Sequence, residues 1–313
     1  MGSAEKATHE KLIVEIIDTL ETINGVHPGH RRIHARGTVC EGSFTPTPEA
    51  AALSKAAHFR SEGPATARLS NASGDPRTSD ANPIAGRGMA VKFHHPDGAS
   101  SDIVSVPLPL FMVRTAEDFL AFTKARLPDP ETGQPDPERL GAFVAEHPET
   151  TRALQLGLPA LAPTRSFATS DANSLHAFGL VDAGGATTWG RYSWVPEEGV
   201  QHLSEDEVAA AGDHYLQDEI RERLAGGSAA FALEFTKANE VDSLIDPTEP
   251  WEGEHEVVDL GRLELTGVLE DAEKEGVLVF DPMNLCEGIE PSDDEILAAR
   301  PKAYSVSIER RTA

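Results

Sequence analysis

The feature that most constrains this chain is a series of short extended segments with helices inserted between them. Residues 30–44 alternate in polarity and are rich in small side chains, which predicts a strand that bends. Residues 64–70, 89–93, 174–180, 187–194, 229–239 and 257–267 alternate in the same way. Residues 102–114 are apolar and extended, because Pro107 and Pro109 prevent a helix. Strands in series with helices between them predict an α+β fold built on one mainly antiparallel sheet. A sheet with that many strands tends to curl or close.

The helical windows follow from periodicity. Leu12, Ile13, Ile16, Ile17, Leu20 and Ile23 put one apolar face on residues 9–24, and Asn24-Gly25 ends that helix. Further helices are predicted at 48–58, 115–127, 136–157 (with Pro148 interrupting) and 204–225, the last opened by a Ser204–Glu207 capping box. A final helix starts near Ser292 and carries Ile296, Leu297 and Tyr304. No internal repeat or low-complexity linker divides the chain, and the strands are too evenly spread for two independent domains. One domain over residues 1–313 is expected, with its core at about 25–311.

Composition excludes several functions. The chain of 313 residues carries 52 acidic against 27 basic side chains, a formal net charge of -25. Nucleic acid and anionic membranes both select a basic surface, so neither is an expected partner. Cys40 and Cys286 are too few for a disulfide framework, and no Cys-x-x-Cys occurs. The N-terminus has no apolar signal core, and no apolar run approaches the ~20 residues of a membrane span. These features together predict a reducing, cytoplasmic setting.

Chemistry-bearing residues concentrate at the two ends. Arg300 precedes Tyr304 by one helical turn, and residues four apart share a helix face. A guanidinium beside a phenol favours the phenolate, a hard oxygen ligand suited to ferric iron. His34 lies in the bending strand, where small neighbours let another object approach the backbone. His94 and His95 are adjacent and would point to opposite faces of a strand, which argues against a joint metal site. His58, His176, His202 and His214 are read as structural or surface residues, Cys40 as wall packing and Met112 as gap-filling core.

Four separated stretches together resemble the haem catalases. Arg31-x-x-His34-Ala35-x-Gly37 is similar to their distal-histidine motif, and Arg68-Leu-Ser70 to their Arg-Phe-Ser. Residues 87–93, 102–104 and 109–111 follow in the family's order. Phe280-Asp-Pro-x-Asn-Leu285, Gly288-Ile289 and Pro291-Ser292 then lead to Arg300-x-x-x-Tyr304. The resemblance is strongest to the shortened branch, the catalase-related peroxidases or mini-catalases. It implies a closed antiparallel eight-stranded β-barrel with surrounding helices, without the long N-terminal arm and C-terminal helical domain of full-length catalases.

The resemblance also implies a haem b cofactor with Tyr304 as iron ligand, kept ionised by Arg300. Arg31, Arg68 and Arg311 fall where the family clamps the haem propionates. His34 matches the general acid–base of peroxide cleavage and Ser70 the hydroxyl that orients it. Ile33, Val104, Phe111 and Phe119 match apolar packing around the ring. The implied reaction oxidises the haem to a ferryl state with hydrogen peroxide or an organic hydroperoxide; a second peroxide or a small organic reductant then returns it. Two alternatives share the barrel: hydroperoxide rearrangement of the allene oxide synthase type, and non-catalytic haem binding. An intact His34 and Ser70 disfavour the second. Four positions depart from the family. Val106 replaces the distal asparagine, Val306 replaces an aspartate after the tyrosine, and Pro301-Lys302 replaces an apolar pair. The first predicts weak catalase activity and a larger peroxidase share. A monomer or homodimer is expected.

Overall fold

A computed structural model of the protein describes residues 3–82, 86–270, 272 and 278–312. The sheet is antiparallel throughout. Its strands are β1 (Gly37–Pro46), β2 (Gly63–Asn71), β3 (Arg87–His94), β4 (Ser100–Ser105), β5 (Ala172–Asn173), β6 (Phe178–Val181), β7 (Thr187–Pro196), β8 (Ala229–Lys237), β9 (Val257–Val268) and β10 (Ile289–Pro291). They run in the order β10-β6-β7-β8-β9-β1-β2-β3-β4, with β5 also paired to β7. Just beyond β4, Val106 exchanges two backbone hydrogen bonds with Asn173 of β5, at 3.0 and 2.6 Å. That bridge joins the β4 end of the sheet to β5, and through β5 to β7. The ring therefore runs through β1, β2, β3, β4, β5, β7, β8 and β9, as the expected eight-stranded barrel requires. The sheet has ten strands because β6 and β10 extend it outside that ring.

The interior is aromatic. Phe44, Phe59, Phe93, Tyr192, Trp194, Phe231 and Phe235 are all buried there. β8 shows why: Ala229, Phe231, Leu233 and Phe235 sit at alternate positions and all point inward. Cys40 belongs to the same core, with no accessible surface, and burial pushes its thiol up to about 12. That agrees with its reading as wall packing.

The helices are α1 (Ser3–Asn24), α2 (Pro48–Leu53), α3 (Ala116–Ala125), α4 (Pro137–Glu146), α5 (Pro148–Gly157), α6 (Glu205–Ala210), α7 (Tyr215–Gly226) and α8 (Glu295–Thr312). Three predicted helices are each divided. The 48–58 window becomes α2 and a separate turn of 3₁₀ helix at Ala57–Phe59. Pro148 ends one helix and opens the next, since it lacks the N–H a continuous helix needs. The capping box at Ser204 forms as predicted, yet its helix stops at Ala210 before Gly212.

A larger difference concerns residues 30–36, which are not strand; β1 begins only at Gly37. Long-range side-chain bonds hold this segment instead of a ladder. Arg31 donates to the Leu278 carbonyl at 2.8 Å, and Arg36 to Asp80 at 2.7 Å. Arg32 pairs with Glu21 of α1, which also accepts from Arg310 of α8 at 2.7 Å. Ile13, Ile16, Ile17 and Leu20 of α1 pack with Ala299 and Val306 of α8. Charge and apolar packing thus draw both ends of the chain to one place. No helix among the described residues is long and apolar enough to cross a membrane.

Candidate functional site

Between the barrel wall and helices α1, α3 and α8 lies a cavity of about 750 Å³. Every sequence-predicted site residue lines it: His34, Ser70, Arg31, Ile33, Arg68, Val104, Phe111, Phe119, Arg300, Tyr304 and Arg311. Residues some 270 positions apart therefore face one space. Met112 and Val106 line it as well.

His34 adopts φ 56°, a left-handed conformation that side chains other than Gly, Asn, Asp and His seldom take. Its Nδ1 lies 3.0 Å from Ser70 Oγ, and Ser70 donates to the Gly88 carbonyl at 3.3 Å. With the hydroxyl proton so directed, Ser70 accepts Nδ1–H, and Nε2 keeps the free lone pair. Burial, then the cations Arg68, Arg300 and Arg31, pull the imidazole down to about 3, so it stays neutral.

Gly88 makes this arrangement sterically possible. A Cβ built there would stand 2.5 Å from His34 Cε1 and 3.0 Å from Ser70 Oγ. Gly88→Ala is expected to push the imidazole aside and lower peroxide turnover by about 10²-fold, the cost of misplacing a reacting group by ~1 Å. Turnover of haem-loaded variant protein with unchanged haem content checks this; wild-type rates would contradict it. Gly37 plays a similar part for Arg68, whose Cζ would lie 2.6 Å from an added Cβ.

At the other wall, Arg300 Nε and Nη2 donate to the Tyr304 oxygen at 3.0 and 2.6 Å. Two donors converging on one oxygen suit an anionic ligand. α8 is anchored by Asp294, whose Oδ1 accepts the backbone N–H of Ile296 at 2.8 Å. Its other oxygen accepts from His176 Nδ1 at 2.6 Å. His176 lines the cavity with Nε2 unpartnered among the described residues, and Arg300 acts on it electrostatically. The sequence reading placed His176 among structural histidines. Its role as a link between Asp294 and the Arg300 region spans 118 residues, and no local spacing signals it. Ser105, which lies outside the sequence motifs, adds a buried hydroxyl to the cavity lining that lacks a partner among the described residues.

Three more guanidiniums gather at the same cavity. Burial comes first in lowering Arg31 (to about 8) and Arg68 (to about 9). Arg68 and Arg311 each lower Arg31 further, and Arg311 lowers Arg68. Arg31 and Arg311 both donate to Leu278 O, at 2.8 and 2.9 Å. Repelling buried cations create a positive potential that an anionic group would relieve. The Phe111 and Phe119 rings pack 5.5 Å apart at a tilt of 33° on the apolar side.

A flat apolar ring with two carboxylates and a central metal fits this set of donors: cations for the carboxylates, an apolar sandwich, and a phenol oxygen for the metal. The Catalase family profile matches residues 12–313. The chain belongs to the catalase family. As a family member it is an oxidoreductase that acts on peroxide and depends on haem. It is 37% identical over 300 residues to a catalase-related peroxidase of Mycolicibacterium paratuberculosis, covering 95% of this chain and 94% of that one. A catalase-related peroxidase of Synechococcus elongatus is 32% identical over 303 residues, with 95% and 88% coverage. The catalase fold is also seen in a solved fungal catalase, at a TM-score of 0.81 and 21% identity. That match covers 94% of this chain and 62% of the fungal one.

Proposed function

We propose that this chain is a haem b peroxidase that oxidises small organic donors with hydrogen peroxide or organic hydroperoxides and releases oxygen only weakly. The observation that carries the reading is Val106. It lines the cavity with an apolar side chain, while the His34–Ser70 pair is complete. The names of the two catalase-related peroxidases that match nearly the whole chain support it. Neither Cys40 nor Cys286 lines the cavity, which favours a haem held without thioether links.

Tyr304 would hold the iron, Arg31, Arg68 and Arg311 the propionates, and Ile33, Val104, Phe111 and Phe119 the ring. When bound, haem supplies the redox chemistry, taking oxidising equivalents from the peroxide and passing them to a donor. His34 Nε2 takes the proton from one peroxide oxygen and delivers it to the other, so that water or alcohol leaves. Ser70 holds Nδ1–H so that Nε2 is the nitrogen presented. Ile33, Val104 and Phe111 keep bulk water from that proton. Oxidation of a second peroxide needs a further positioned donor, and Val106 offers none.

Val106→Asn tests this. Loss of a positioned polar group costs about 10²-fold, so supplying one is expected to raise oxygen release at least ~10-fold with donor oxidation little changed. The seam of the barrel is spared, because Val106 joins Asn173 only through backbone atoms. No gain in oxygen release would remove Val106 as the cause. If a fatty-acid hydroperoxide were rearranged without consumption of donor, the peroxidase reading itself would fail.

A further inference from the structure

A second group of metal-ligating side chains lies outside the haem cavity; none of its members lines that space. His58 sits in the 3₁₀ turn after α2. His95 and Ser101 flank the tip of the β3–β4 hairpin, and Cys286 lies in the turn before β10. His58 Nδ1 is 3.1 Å from Ser101 Oγ and 3.8 Å from Cys286 Sγ. His95 Nε2 is 3.0 Å from the same hydroxyl. One ligand atom from each of His58, His95 and Cys286 lies within 4.8 Å of the other two.

The sequence reading set His94 and His95 aside because neighbours on a strand face opposite ways. They do: His94 is exposed and bonds Thr66 Oγ1 at 2.9 Å, while His95 turns in. What periodicity could not supply were the inward residue's partners, His58 and Cys286, from distant stretches.

We propose that His58 Nδ1, His95 Nε2 and Cys286 Sγ bind one zinc ion, with the Ser101 hydroxyl as fourth neighbour, fastening the hairpin tip to the turn at residues 281–288. Two imidazoles and a thiolate are a borderline-soft set, which suits zinc and excludes calcium and magnesium. Zinc bonds of about 2.0–2.3 Å place tetrahedral ligand atoms about 3.3–3.7 Å apart. The observed 3.8 Å between Nδ1 and Sγ is close to that spacing. The remaining approach is made by Cys286 and His95, nearer the surface than His58.

The cluster is also held in place before any ion arrives. The His58 ring stacks on Phe93 at 4.2 Å and 11°, and lies 4.2 Å from Phe59. His58 Nε2 has no partner among the described residues, so its hydrogen-bonding edge is the one that faces the cluster. The neutral imidazole is the form that binds metal. On binding, the Cys286 thiol loses its proton to solvent as the sulfur–zinc bond forms. Two neutral rings, a thiolate and Zn²⁺ leave one positive charge, and Asp97 acts electrostatically on both His95 and Cys286.

The test uses haem-loaded full-length protein, kept reduced, exposed to zinc and then dialysed. Wild type is expected to retain one zinc per chain. Zinc-edge X-ray absorption should show one sulfur at about 2.3 Å with nitrogens at about 2.0–2.1 Å. Partners of metal ligands are alone worth about 10–100-fold in affinity. Loss of a direct ligand in Cys286→Ser or His95→Gln is therefore expected to weaken zinc at least ~100-fold against a competing chelator. Peroxide turnover should be unchanged and shows that the variants are folded. No retained zinc in wild type, a spectrum without sulfur, or equal zinc in Cys286→Ser would each overturn the site.

Discussion

Replacing His34 by alanine is expected to lower peroxide turnover by about 10²–10⁴-fold while haem is retained. General acid–base catalysis contributes on that scale, and His34 is placed for it. Ser70 and Gly88 fix its ring, and the left-handed backbone at φ 56° presents it to the cavity. Strain of this kind costs about 1–3 kcal/mol and persists where surrounding structure enforces it. The wild-type pH profile gives an independent check. A base works when deprotonated, so activity is present above its pKa and lost as pH falls through it. His34 is held near 3, with burial the largest cause. Propionates would offset the nearby cations but leave burial in place. Turnover should therefore hold through the pH range where an ordinary histidine, at about 6.5, gains its proton. A His34→Ala enzyme within a few-fold of wild type would show that the proton moves elsewhere.

Tyr304→Phe is expected to reduce haem retention at least ~10²-fold and turnover with it. The estimate starts from Arg300, which only supports the ligand. Such supporting partners are worth about 10–100-fold, and removing the ligand itself costs more. The variant keeps the aromatic ring that stacks near Arg300, whose Cζ is 5.6 Å from the ring centre, and removes only the oxygen that accepts both guanidinium bonds. Haem content after gel filtration and the visible spectrum report the effect. Unchanged haem content together with an unchanged high-spin ferric pattern would mean that another group ligates the iron.

The Arg300–Tyr304 pairing was legible because one helical turn separates the two residues, and helix periodicity alone places them together. The barrel strands were legible for the same reason at period two. Residues 30–36 were misread as strand because Arg31, Arg32 and Arg36 find partners at Leu278, Glu21 and Asp80. Small alternating residues look extended whether a ladder or distant side chains hold them. His176 escaped notice because its meaning rests on Asp294, which helix capping explains by itself. Gly88 stood inside a quoted motif, yet only the 2.5 Å clearance to His34 shows why a side chain cannot be there. The closure of the sheet at Val106 and Asn173 leaves little sequence signal, since its paired bonds are backbone ones and its one side-chain bond, Asn173 Nδ2 to the Pro107 carbonyl at 3.2 Å, spans 66 residues.

We propose that this catalase-family cavity, lined by Val106 together with an intact His34–Ser70 pair, is weighted toward peroxidase chemistry. Steady-state turnover of the haem-loaded wild type tests it most directly, with oxygen release from hydrogen peroxide alone measured beside oxidation of a panel of phenolic and other organic donors. Slow oxygen release and faster, saturable donor oxidation are expected. Oxygen release at the rate of a full-length catalase, with the donors untouched, would contradict it.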